Sequence, residues 1–191
     1  MEKNVKGPRF KKLAEGEMDA AQLKVYRELM SGPRGGVRGP FNALLRSPVL
    51  ADRVQKLGEF LRFESSLPAR LNEFAILITA RHWNAQYEWF AHYPHAMKGG
   101  LKPEIAADVA QGKRPASMQE DEAIVYDFCT ELHRDKVASD KTLKAAFAKF
   151  GERGVIDLIG VTGYYTLVSM ILNVDKQPLP AGTPPPLPVL K

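Results

Sequence analysis

Cysteine is almost missing from this chain: its 191 residues contain one, Cys129. A lone thiol rules out an internal disulfide and any multi-cysteine metal site. Long apolar runs are missing too. The stretches "FAILITA" and "YYTLVSMILNV" are too short to span a bilayer and lie well inside the chain, while "MEKNVKGPRFKK" lacks the apolar run of a signal peptide. A cytoplasmic protein without membrane contact is expected. The formal charge of +5 comes without a nucleic-acid-binding motif. Its only dense basic cluster is Lys3, Lys6, Arg9, Lys11 and Lys12; elsewhere Lys and Arg alternate with acids along helical segments, as on solvated faces. No nucleic-acid partner is expected.

What is present is helix. The 45% hydrophobic and 26% charged content suits one globular domain with a single sizeable core. Asp19 is placed to cap a helix to about Met30, with Leu23, Tyr26 and Met30 at helical spacing. "SGPRGGVRGP" breaks it. Ser47-Pro48 opens a helix to about Phe60, and Ser66 with Pro68 another to about Trp83. The stretch "NAQYEWFAHYPHA" supplies the next, ended by Gly99-Gly100. A short helix from Pro103 follows, then helices at about Ser117 to Arg134, Ser139 to Phe150 and Gly154 to Asn173. The tail "DKQPLPAGTPPPLPVLK" holds six of the 14 prolines and should run extended over the surface or reach a neighbouring subunit. The expectation is an all-α bundle: an N-terminal extension at 1–18, a helical domain at 19–174 and a Pro-rich arm at 175–191.

Two features point to chemistry. Leu71, Phe74, Ala75, Ile76, Leu77, Ile78 and Ala80 make one helix apolar on nearly every face, the mark of burial in a core or interface. Glu73 begins that run, with Ile76, Leu77 and Ala80 at i+3, i+4 and i+7, so its carboxylate projects along the apolar stripe. Buried without a partner, it would gain a raised pKa suited to proton transfer; the alternative is an ion pair with Arg70, Arg62 or Arg81. In the next helix Ala85, Glu88, His92 and His95 share one narrow sector at about 100° per residue. Glu88 and His92, at i and i+4, are close enough to hydrogen-bond and orient the imidazole, or form an ordinary solvated pair. Trp89 and Tyr93 lie beside this seam, and Pro94 should kink the helix before His95. Glu73, Glu88 and His92 have ligand chemistry, but their spacing is no known metal signature and H-E-x-x-H is absent, so no metal or other cofactor is expected.

The run "LPARLNEFAILITARHWNAQYEWFAHYPHAMKGGL", with "LRFESS" before it and "GYYTLVSMILNV" after it, resembles the carboxymuconolactone decarboxylase family of the alkylhydroperoxidase D-like superfamily. The likeness spans about residues 35–190. It implies an all-helical fold that assembles as trimers, or as hexamers built from dimers or trimers. In the superfamily's peroxidase branch a glutamate stands twelve positions before a C-x-x-C-x-x-x-H motif. Glu73 matches that glutamate and His92 the histidine, but the cysteine positions hold Ala85 and Glu88. Cys129 lies in another helix, "IVYDFCTELH", where Val125, Phe128 and Leu132 mark the core face and the thiol reads as a small buried hydrophobe. Dithiol peroxidase chemistry is thereby excluded.

The decarboxylase branch also lacks the cysteines and keeps a glutamate four residues before the histidine, as Glu88 and His92 stand here. The resemblance implies cofactor-free decarboxylation of a small carboxylated lactone or unsaturated acid, in which His92 or a protonated Glu73 protonates an enolate-like intermediate. Arg62 or Arg81 would hold the substrate carboxylate; Tyr87, Trp89 and Tyr93, with His95, would shape the cavity. The dedicated decarboxylases of aromatic-acid breakdown are shorter and lack Glu73, so the chain is closer to a longer branch. A lactone hydrolase or isomerase would use the same groups. A non-catalytic oligomeric scaffold is the reading from another class, with Glu73, Glu88 and His92 as a buried packing network. An enzyme requires a cavity reaching these groups and a strongly perturbed pKa; a scaffold requires that they satisfy one another and be sealed from solvent.

Overall fold

The computed structural model describes residues 7–33 and 35–190. Lys3 and Lys6 of the basic cluster therefore lie outside the described residues. Eight α-helices, and no strand among the described residues, make up the fold: α1 (Ala20–Ser31), α2 (Phe41–Leu44), α3 (Pro48–Phe63), α4 (Ala69–His82), α5 (Gln86–Lys98), α6 (Pro103–Ala110), α7 (Glu120–Asp135) and α8 (Asp140–Asp175). The expected all-α class is observed.

α4 is the centre. Every residue from Leu71 to Ala80 is buried, and α5, α6, α7 and α8 all pack on it, as its all-round apolar sequence requires. Several of its polar groups are matched from neighbouring helices, whereas Asn72 Oδ1 is buried without a hydrogen-bond partner among the described residues. Asn72 Nδ2 donates to the Leu61 carbonyl at 3.0 Å, and Thr79 Oγ1 meets His133 Nε2 at 3.0 Å. Arg70 binds Asp121 at 2.7 Å and also the buried Glu122 of α7. Arg70 is thus not the partner of Glu73. The turn into α5 passes through Asn84 in a left-handed conformation (φ 49°) that asparagine tolerates better than most residues, and the chain doubles back so that α5 lies along α4.

Several expected boundaries hold, and others move for local reasons. Asp19 Oδ1 accepts from Gln22 N at 2.8 Å, while Gln22 Oε1 accepts from Asp19 N at 3.0 Å, closing a capping box at α1. The buried face of α1 is Val25 and Leu29; Met30 is half exposed, so helical spacing alone picked the flank of the stripe rather than its centre. The Gly- and Pro-rich break is followed directly by the short α2, which buries Phe41, Ala43 and Leu44. Ser66 does not cap α4: its N–H and Oγ donate to Asp157 Oδ2 of α8 at 2.8 and 2.6 Å. The two helices expected at 139–150 and 154–173 are both present, joined within α8 across a kink at Gly151 (φ 66°, ψ 178°). Glycine adopts that conformation without the Cβ clash other residues meet, so the chain changes direction without a loop.

α8 is long and apolar enough to cross a membrane by length and composition, with mean hydropathy 1.7 in its best window. More than half of that window is buried within the protein (56%), where Val155, Leu158, Val161, Tyr165, Val168 and Leu172 join the core.

Both ends of the described chain are tied to the body. Arg9 N donates to the Asp175 carbonyl and Phe10 N to Asp175 Oδ1, each at 2.8 Å. The Pro-rich tail returns along α4 and α5. Leu187 is buried, and the Gln86 side-chain amide both donates to its carbonyl and accepts from its N–H at 2.9 Å. Of the two courses open to the tail, the structure shows the one over its own surface.

Asp157 joins α8 to the residues before α4. Replacing it with Ala removes the acceptor for two hydrogen bonds to Ser66, and urea denaturation is expected to show a loss of about 1–3 kcal/mol.

Candidate active site

Glu73 on α4 and Glu88 and His92 on α5 meet in the core, all three less than a tenth exposed. Geometry divides their roles. His92 Nδ1 lies 2.7 Å from Glu73 Oε2, while Nε2 lies 3.0 Å from Glu88 Oε1. The second contact has ion-pair distance without hydrogen-bond alignment, and Glu88 Oε1 is buried with no hydrogen-bond partner among the described residues. The i,i+4 spacing on α5 supplies the Glu88 contact, and the α4–α5 packing supplies Glu73. The edge-on ring of Tyr165 from α8 closes one side of the imidazole, centroids 4.9 Å apart.

The electrostatics follow. Burial by itself pulls the imidazole pKa down; the charge of Glu88 and the hydrogen bond to Glu73 reverse this and raise His92 to about 9. At that value His92 keeps its proton at neutral pH, with Nδ1–H hydrogen-bonded to Glu73 and Nε2 at ion-pair distance from Glu88. Burial, reinforced by the charge of Glu88, pushes the Tyr165 phenol well above its ordinary value. His95, 5.9 Å from His92 between ring centroids, moves the other way: its burial lowers its pKa. Two neighbouring imidazoles thus hold different protonation states at neutral pH, a division that suits an acid and a base.

A cavity of about 510 Å³ reaches this seam. Glu88, His92 and His95 line it from α5, with Tyr87 and Phe90; Arg62 and Phe63 enter from α3, Arg38 from the segment before α2, and Tyr164, Tyr165 and Val168 from α8. α5 runs on through Pro94 to Lys98, so His95 keeps its helical placement and faces the same space as His92. Arg62 has no ion-pair partner among the described residues. Its Nε is buried without a hydrogen-bond partner among the described residues, and its guanidinium rests 5.1 Å from the Phe63 ring centroid. Arg38 lies exposed at the rim. A wall with two guanidiniums and a charged imidazole suits an anion.

Other expected site residues lie elsewhere. Arg81 donates to the carbonyls of Ala110 at 3.2 Å and Pro188 at 2.9 Å. It clamps the tail and does not line the cavity. Trp89 and Tyr93 face a second cavity of about 490 Å³ with Pro94, Pro103 and Pro186, because positions 89 and 93 lie about 100° round α5 from 88 and 92. Glu73 sits behind His92 and does not line the wall. Arg38, Tyr164 and Tyr165 were not anticipated. No spacing rule links Arg38 to His92, and the paired tyrosines read as part of an apolar helix.

Thiol and metal chemistry have little to work with. Cys129 is fully buried, its Sγ 3.5 Å from Thr162 Oγ1, and burial pushes its pKa up to about 12. Among the described residues no three His, Cys, Asp or Glu side chains are placed to hold a metal ion. Glu73 and Glu88 lie at opposite nitrogens of His92 and so do not converge on a common point. No family model matches the chain, and no curated protein matches it.

Because folding raises the pKa of His92, its stabilising contribution is complete below about pH 6.5 and is lost as pH rises through about 9. Melting temperatures across pH 6–10 are expected to fall for the native protein, with a flatter profile for His92→Gln.

Proposed function

We propose that the protein is a cytoplasmic, cofactor-free lyase of the carboxymuconolactone decarboxylase type, acting on a small carboxylated lactone or unsaturated acid. The observation that carries the reading is the His92 imidazolium, held between two buried carboxylates in the wall of a cavity that also presents Arg62 and Arg38. The resemblance of the α4–α5 sequence to that family supports it independently.

In this reading the substrate carboxylate that is retained pairs with Arg62 and Arg38. Breaking the bond to the departing carboxylate releases carbon dioxide and leaves its electron pair delocalised into the conjugated carbonyl as an enolate. His92 then donates the Nε2 proton to the carbanion carbon, forming the new C–H bond, and is reprotonated from solvent. Glu73 is a positioning residue: it holds Nδ1–H and keeps the ring turned toward the cavity. Tyr165 and Phe90 exclude water from the imidazole.

One observation favours the scaffold alternative: Glu73 and His92 satisfy each other, and Glu73 does not reach the cavity. Activity separates the two readings. Purified protein incubated with a panel of carboxylated lactones and unsaturated acids is expected to release carbon dioxide with loss of ultraviolet absorbance. His92→Ala is expected to lower the rate by about 10²–10⁴-fold. Glu73→Gln is expected to move the limb of the pH–rate profile set by His92 toward lower pH while the protein stays folded. No turnover by the native protein, together with variants that lose their assembly, would favour the scaffold.

A further inference from the structure

The outward face of α8 lacks what a solvated helix face normally carries. Between Gly154 and Asp175 its only charged side chains are Asp157 and Asp175, and both are buried. The exposed side is instead apolar: Ile156 is 65% exposed and Val174 56%, with Ile159 and Met170 also open to solvent. These residues follow helical spacing, so they form one stripe about 27 Å long at 1.5 Å per residue. The four side chains present on the order of 400 Å² of apolar surface, and pairing two such stripes would hide on the order of 800 Å²; the half-buried Leu167 and Ile171 on the same face add to this toward the roughly 1,000 Å² that a specific interface needs.

The order of sizes along the stripe identifies what covers it. We infer that α8 pairs with α8 of a second copy of this chain, antiparallel about a two-fold axis near residue 165. In that register position i of one copy faces position 330 − i of the other. Ile156 meets Val174, Gly160 meets Met170, and Gly163 meets Leu167. The open gap at Gly163 receives the Leu167 side chain, which is the ridge-into-groove match that helix pairing needs, and a two-fold contact repeats it on both sides.

Gly163 gives this register independent support. It sits inside a helix, where glycine is among the least favourable residues, yet beyond its own turn of helix nothing among the described residues lies within 4 Å of where a Cβ would stand. Gly160 differs: Leu61 is 3.1 Å from its Cβ position, so packing within the chain explains that glycine. The space over Gly163 has no use in the single chain and a definite use in the pair. A membrane surface fits this face less well, because helices that lie on membranes carry Lys or Arg beside the apolar stripe, and α8 has neither between Gly154 and Asp175.

Analytical ultracentrifugation of the full chain tests the inference. The native protein is expected at twice the 21.3 kDa chain mass or an even multiple of it. Ile156→Lys is expected to weaken the association by on the order of 100-fold, since it buries an unmatched charge twice across the axis. Adding Val174→Glu is expected to restore it. The two positions are about 27 Å apart along one helix, so the new charges meet only between copies. Circular dichroism of Ile156→Lys checks that the fold survives. If it does not, the variant carrying both Ile156→Cys and Val174→Cys is expected to form covalent dimers under mild oxidation, and either cysteine alone is not. A native monomer, a trimer, no restoration by the second charge, or a monomer that sediments with phosphatidylcholine–phosphatidylserine vesicles would each overturn the antiparallel pairing.

Discussion

Burying an imidazolium in a helical core is tolerable only when opposite charge lies within hydrogen-bond reach, and much of the arrangement around α4 and α5 meets that requirement. Glu73 must sit on the most enclosed helix of the protein, because only there does its carboxylate approach His92 Nδ1 from below. Glu88 must lie one turn before His92 to reach Nε2. The result is a ring that cannot turn without losing a partner and that keeps its proton at neutral pH.

The surroundings hold α4 and α5 in that relation. Arg70 ties the start of α4 to α7, and Asp157 ties the segment before α4 to α8. Arg81 and Gln86, one on each side of the turn between the two helices, both grip the tail near Leu187 and Pro188. These hydrogen bonds lie at the rim of an apolar core, where they resist displacement by water. A catalytic group placed on two rigid helices and braced in this way is held more closely than one carried on a loop.

α5 serves as the wall between two spaces. One side carries Glu88, His92 and His95 toward the cavity with the arginines; the other carries Trp89 and Tyr93 toward a cavity lined by prolines. Phe90 borders both. The division gives the polar seam an aromatic backing while leaving its own mouth cationic, a combination that favours a small anion with a conjugated body.

Local repeat and side-chain chemistry determined much of this from sequence alone. The helical class followed from period and capping, since Asp19 and Ser139 cap through their own side chains. The burial of α4 followed from apolar residues on every face, and the Glu88–His92 contact from a spacing that any α-helix imposes. Relations between distant segments were decided only by tertiary packing, because no periodicity reports them. Packing chose His92 over Arg70 as the partner of Glu73 and drew Arg81 away to the tail. It also brought Arg38, from a stretch that reads only as a helix breaker, to the rim of the cavity that His92 lines.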